Sequence, residues 1–166
     1  MARNVAESSA TVSVLDRLID AEPDNPYELP MTRAQSVRAV KSSLRRDLEW
    51  FLNTRRIAVE PPPSLREVNR SLYMFGLPDL IGFALSSQKD RTRLLRILQN
   101  AARIFEPRLA NVRIIPLDVH ESGRNTLSFR IEGLLIMDPA PEHVSFDTVL
   151  ELSNGEYEVR GEADAG

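Results

Sequence analysis

The chain has 166 residues, 42% of them hydrophobic and 27% charged, a balance that supports one globular domain with a real core and excludes wholesale disorder. A formal net charge of −3 gives no global attraction to nucleic acid or an anionic membrane, and the absence of cysteine excludes a disulfide framework, a thiolate metal site and a cysteine nucleophile. No apolar run approaches membrane-spanning length, and Met1-Ala2-Arg3-Asn4-Val5 does not lead into the apolar core of a secretory signal, so a cytoplasmic protein without membrane insertion is expected.

Residues 1–12, small and polar, read as a mobile tail before a single domain over 13–160, with 161–166 fraying beyond it. Ser13 and Asp16 have capping-box spacing, and Val14, Leu15, Leu18 and Ile19 form an apolar stripe about two turns long, the pattern of a short docking helix. Pro23, Pro26 and Pro30 then impose a loop. Thr32 with Gln35 makes a second capping box, and Val37, Val40, Leu44, Leu48, Phe51 and Leu52 recur at helical spacing, which predicts a helix over 33–53. Trp50 lies near that stripe and is assigned to core packing, whereas Arg38, Lys41, Arg45, Arg46, Asp47 and Glu49 read as a solvated face.

Pro61-Pro62-Pro63 forms a semi-rigid extended connector. Ser64 and Glu67 repeat the capping spacing ahead of Leu65, Val68, Leu72 and Phe75, predicting a short helix that stops at Gly76. Ser87 caps a further helix whose Leu94, Leu95, Leu98, Ala101, Ala102 and Phe105 face inward, while Arg91, Arg93, Arg96 and Arg103 crowd its other sides. This basic face lacks interleaved aromatics, which argues against nucleic-acid binding.

After Pro107 the period changes from helical to alternating. A first strand is predicted over Val112 to Val119, bent and placed at an edge by Pro116, and Leu127, Phe129 and Ile131 alternate with Ser128, Arg130 and Glu132 in a second. Ser122-Gly123 makes these two a hairpin. Phe146, Thr148, Leu150 and Leu152 alternate in a third strand, and Asn154-Gly155 turns the chain into a fourth carrying Tyr157 and Val159. The fold expected is α+β: N-terminal helices on a C-terminal antiparallel or mixed sheet of about four strands.

Glu106 is the one acid in an unusual local setting. Pro107 pushes it out of helical conformation, so its carboxylate falls at a helix C-terminus, where the macrodipole already carries negative charge. Arg108 is the nearest cation, and the pair is compatible with a catalytic acid, a stability lock or an interaction site. No second carboxylate pairs with Glu106 across an aromatic-lined cleft, His120 and His143 lack metal-ligand spacing, and neither a phosphate loop nor a nucleophile elbow is present. No metal or cofactor is expected.

Four segments stand in the order found in the TssE family, the lysozyme-like baseplate subunits of bacterial type VI secretion. They are Ser13-Val14-Leu15-Asp16-Arg17-Leu18, Asp47-Leu48-Glu49-Trp50-Phe51-Leu52-Asn53-Thr54-Arg55-Arg56, Tyr73-Met74-Phe75-Gly76-Leu77-Pro78-Asp79 and Phe105-Glu106-Pro107-Arg108-Leu109. Pro141-Glu142 and Phe146-Asp147-Thr148 extend the resemblance to nearly the whole chain outside the termini. The chain resembles that family, and the resemblance implies a cytoplasmic structural subunit related to phage wedge proteins. Such a subunit would join wedge proteins of the TssF and TssG kind and help template the first sheath ring through an unpaired sheet edge. It assigns partner binding to Glu106, Pro107 and Arg108 and implies no enzymatic activity. The alternatives are a peptidoglycan-cleaving enzyme and an adaptor in another cytoplasmic complex.

Overall fold

In the computed structural model, which describes residues 13–19, 32–79, 87–117, 126–138, 140–151 and 155–162, the change of periodicity at Pro107 is the boundary between helices and sheet. The tail over 1–12, Ser122-Gly123, His120, Leu152 and Asn154 lie outside the described residues.

Helix α2 spans Arg33–Asn53, as its apolar period predicts. Thr32 and Gln35 close the expected capping box: the Gln35 N–H donates to Thr32 Oγ1, and the Thr32 N–H donates to Gln35 Oε1 at 2.9 Å. Ser36, Val40, Ser43, Leu44, Leu48, Phe51 and Leu52 are its buried residues. Trp50 is not among them and is 67% exposed, which corrects its assignment to the core. At 100° per residue Trp50 stands about 200° around the helix from Leu48, on the side away from the buried stripe.

The helix expected behind Ser64 is broken into a four-residue turn of helix, α3 (Arg66–Asn69), and a 3₁₀ turn over Leu72–Met74. Leu65 and Leu72, two apolar residues of that expected helix, are 49% and 84% exposed. Side chains take over the backbone's acceptors here. Asn69 Nδ2 donates to the Pro62 and Leu65 carbonyls, and Ser71 Oγ donates to the Val68 carbonyl, so a continuous ladder does not form. Gly76 then takes φ +97°, and a Cβ there would lie 2.3 Å from the Thr54 carbonyl oxygen. That close approach lets Leu77 bond to the end of α2, with the Leu77 N–H donating to Thr54 O at 2.8 Å and the Arg56 N–H to Leu77 O at 2.9 Å.

Helix α4 (Gln88–Phe105) starts at Ser87, whose side chain accepts from the Asp90 N–H, and buries Leu94, Leu98 and Ala102. Full burial of a leucine such as Leu98 contributes about 1.5–3 kcal/mol. The sheet follows in strict sequence order: β1 (Leu109–Pro116), β2 (Thr126–Leu135), β3 (Glu142–Glu151) and β4 (Glu156–Glu162), every neighbour antiparallel. β1 begins three residues before the predicted Val112, because the Arg108 carbonyl already accepts from the Ile136 N–H at 2.8 Å. Its bulge lies between Ala110 and Arg113, with Asn111 at φ 54°. Gly155 turns β3 into β4 at φ 71°, and β4 includes Gly161 and Glu162.

Helix α2 lies against β4 and α4 against β1. The core between them holds Phe129, Phe146, Leu44, Leu94, Leu98 and Leu150, all at 2% exposure or less. The result is the expected α+β domain, with a purely antiparallel four-stranded sheet.

Candidate functional site

Glu106 is the C-cap of α4: its N–H donates to the Ala102 carbonyl at 2.9 Å, and its φ of −118° leaves the helix. Pro107 cannot continue the helix, and the Leu109 N–H returns to the Glu106 carbonyl at 3.1 Å, so the chain turns at once into β1. Three aromatic rings brace the turn. Phe105 packs against Phe51 and Phe75, with centroids 5.7 and 5.6 Å away, and Phe51 meets Phe75 at 5.3 Å. These contacts join α4, α2 and the segment before Gly76 directly beside the acid.

The Glu106 residue is only 7% exposed. Arg108 compensates the acid with a fork: its Nε donates to Oε1 at 2.7 Å, its Nη2 to Oε2 at 2.6 Å, and its backbone N–H to Oε1 at 3.2 Å. Hydrogen bonds to Glu106, and then to Asp47, hold the guanidinium still further above its ordinary pKa. Both carboxylate oxygens are thus engaged within the chain.

The fork is one end of a longer network. Arg108 Nη2 also donates to Asp47 Oδ2 at 2.8 Å, Arg46 donates to Asp47 Oδ1 at 3.0 Å, and Arg46 Nη2 reaches Asp16 Oδ1 at 2.8 Å. Asp16 Oδ2 accepts from Ser43 Oγ at 2.6 Å and from Ser13 Oγ. Alternating charge therefore runs Asp16, Arg46, Asp47, Arg108, Glu106, tying α1 (Val14–Leu18), α2 and the α4–β1 junction together. Hydrogen bonds from Ser13 and Ser43, assisted by Arg46, hold the Asp16 carboxyl at about 2.

Sequence reasoning placed Glu106 and Arg108 correctly beside one another but read Arg46 and Asp47 as solvated face. The i, i+1 charge pair of opposite sign carries no signal of a contact with a residue 61 positions away. Helix α1 also differs from expectation. It docks by its polar residue Asp16, leaving Val14, Leu15, Leu18 and Ile19 at 72%, 51%, 77% and 57% exposure. Pro107 and the neighbouring Ile104 are exposed as well, so the joint combines a fixed ionic interior with an accessible rim.

His143 is exposed on β3 opposite Leu134. Among the described residues no group of three or more His, Cys, Asp or Glu could hold a metal ion, and no helix is long and apolar enough to cross a membrane.

The antiparallel sheet, the helices on it and the ion-paired, aromatic-braced joint at their boundary define an α+β domain and do not by themselves assign a role. The comparison with protein families supplies one: the chain belongs to the baseplate wedge protein gp25 family, whose model matches residues 38–140. That is also the family of the TssE subunits. The matched stretch runs from α2 through β2 and includes Asp47, Glu106 and Arg108; β3 and β4 lie beyond it. No curated protein and no solved structure gives a match.

Proposed function

We propose that this chain is a structural baseplate component of a type VI secretion contractile injection apparatus. In this reading it works in the cytoplasm, joins wedge proteins of the TssF and TssG kind through the joint at Glu106, Pro107 and Arg108, and has no catalytic role. An edge of its sheet accepts a strand from the sheath subunit and so helps start sheath polymerisation. The observation that supports this most strongly is the coincidence of the family match with the network from Asp47 to Glu106. Within the subunit the network sets the angle between helices and sheet, and its exposed rim at Ile104 and Pro107 is the part that a wedge protein would touch.

The tagged chain is expected to co-purify with wedge proteins of the TssF and TssG kind from the same cells, and exposed-rim variants such as Pro107→Ser are expected to weaken that recovery without unfolding the chain. Wild-type protein that is well folded and recovers no wedge protein would remove the proposal. A peptidoglycan-cleaving role is disfavoured by the Arg108 fork on both Glu106 oxygens; lysis of purified peptidoglycan by wild type, abolished in Glu106→Gln, would restore it.

A further inference from the structure

The sheet has two outer strands, β1 and β4, and α2 has already taken over one of them. Asn53 Nδ2 donates to the Tyr157 carbonyl at 2.8 Å, and the Tyr157 N–H donates to Asn53 Oδ1 at 2.8 Å. This is the two-bond pairing that a residue of a neighbouring strand would make, supplied instead by a side-chain amide. Two residues further on, Arg45 Nη1 donates to the Val159 carbonyl at 3.0 Å. Three of the outward backbone groups at the centre of β4 are therefore satisfied by α2.

β1 presents a different edge. The Leu117 N–H donates to the Ser128 carbonyl at 3.0 Å, so by antiparallel alternation Arg113 and Ile115 turn their backbone groups toward β2. Ile114 and Pro116 turn theirs outward. Gln99 Nε2 takes the Val112 carbonyl at 3.0 Å, but among the described residues the Ile114 N–H, the Ile114 carbonyl and the Pro116 carbonyl have no partner. The adjoining cleft is cationic. It is lined by Arg103, Asn111, Arg113 and His143, with Glu132 as its acid. Among the described residues neither the Arg103 nor the Arg113 side chain is hydrogen-bonded or ion-paired, whereas Arg130, two residues from Glu132 on β2, is matched by Asp147 at 2.7 Å.

We infer that β1, not β4, is the edge that receives a partner strand, and that the strand it fits places an acidic side chain beside Arg113. The incoming segment donates to and accepts from Ile114, donates to Pro116, and sets its carboxylate on the same sheet face as Arg113, where a cross-strand neighbour stands. Pro116 offers no donor, which keeps the edge from pairing with arbitrary strands. This inference rests on the strand-docking reading above.

The test is binding of the full chain to the purified sheath subunit of the same cells, read as Kd together with residue-resolved hydrogen exchange. In the complex the Ile114 amide is expected to gain protection while the Tyr157 amide is unchanged. Ile114→Pro removes the outward donor together with a partly buried side chain that packs on the core, so it is compared with Ile114→Val, which keeps the donor; the proline variant alone is expected to weaken binding about tenfold, as is the exposed charge reversal Arg113→Glu, which leaves the core alone. Asn53→Ala, which opens β4, is expected to leave Kd within about twofold. Retained binding in both β1 variants, with tighter binding in Asn53→Ala and new protection on β4, would assign docking to β4 and overturn the inference while strand docking stands. No binding by folded wild type would instead overturn the strand-docking reading itself.

Discussion

Replacing Arg108 by alanine isolates the Glu106 carboxylate at the end of α4. The fork at 2.7 and 2.6 Å disappears, as does the 2.8 Å bond to Asp47, and Glu106, 7% exposed in the wild type, is left with the helix dipole against it. Removing one partner of a fully buried ion pair costs about 3–5 kcal/mol. The Arg108 side chain keeps 30% exposure, so water can enter the space it leaves, and a loss of about 2–3 kcal/mol is expected. For a chain of 166 residues that corresponds to a fall in Tm of about 5–10 °C, with the protein still folded at 25 °C. Urea unfolding followed by far-ultraviolet circular dichroism measures the change. A double-mutant cycle with Glu106→Ala should return a coupling of about 1–2 kcal/mol, and Arg108→Lys, which keeps charge without the fork, should recover only part of it. A loss below about 0.5 kcal/mol, or zero coupling, would mean that the fork does not hold the junction.

Gly76→Ala is expected to destabilise by about 3 kcal/mol or more, read by the same unfolding assay, because the new Cβ would stand 2.3 Å from Thr54 O in a backbone at φ +97°. Among the described residues the buried Tyr157 hydroxyl has no partner, and burial raises its pKa, so Tyr157→Phe should leave stability unchanged or raise it by about 1 kcal/mol. The same group lowers wild-type stability as pH rises past 10.0, since the unfolded chain releases that proton first, and Tyr157→Phe should reduce the loss. Asp16 titrates at about 2 in the fold against 3.8 for a free carboxyl; its contribution is therefore present above 3.8 and lost as pH falls toward 2. Allowing for solvent screening it amounts to about 1 kcal/mol, and Asp16→Asn should flatten that acid limb of the stability profile.

The helix and strand patterns that depend on neighbouring residues were readable. Thr32 with Gln35 marked the start of α2, Ser87 that of α4, and the alternation of Phe146, Thr148 and Leu150 the buried face of β3, because each signal repeats within a turn or a pleat. Failures came where competition or distance decided. Asn69 and Ser71 capture carbonyls that a continuous helix behind Ser64 would need, a contest that spacing of apolar residues does not reveal. Trp50 shows how a wide apolar stripe admits a neighbour that geometry then excludes. At the site, the contact between Glu106 and Arg108 spans two residues and was legible, while Asp47 and Asp16 arrive through tertiary packing of three helices. The edge occupancy of β4 was equally hidden, since Asn53 and Tyr157 are 104 residues apart.

The proposal that the chain is an assembly subunit is tested most directly by imaging a fluorescent sheath in cells that lack it. Sheaths should fail to form in the deletion strain, return with the wild-type chain, and return poorly with Arg113→Glu. Sheaths of normal number and length without this protein would contradict a role in starting their assembly.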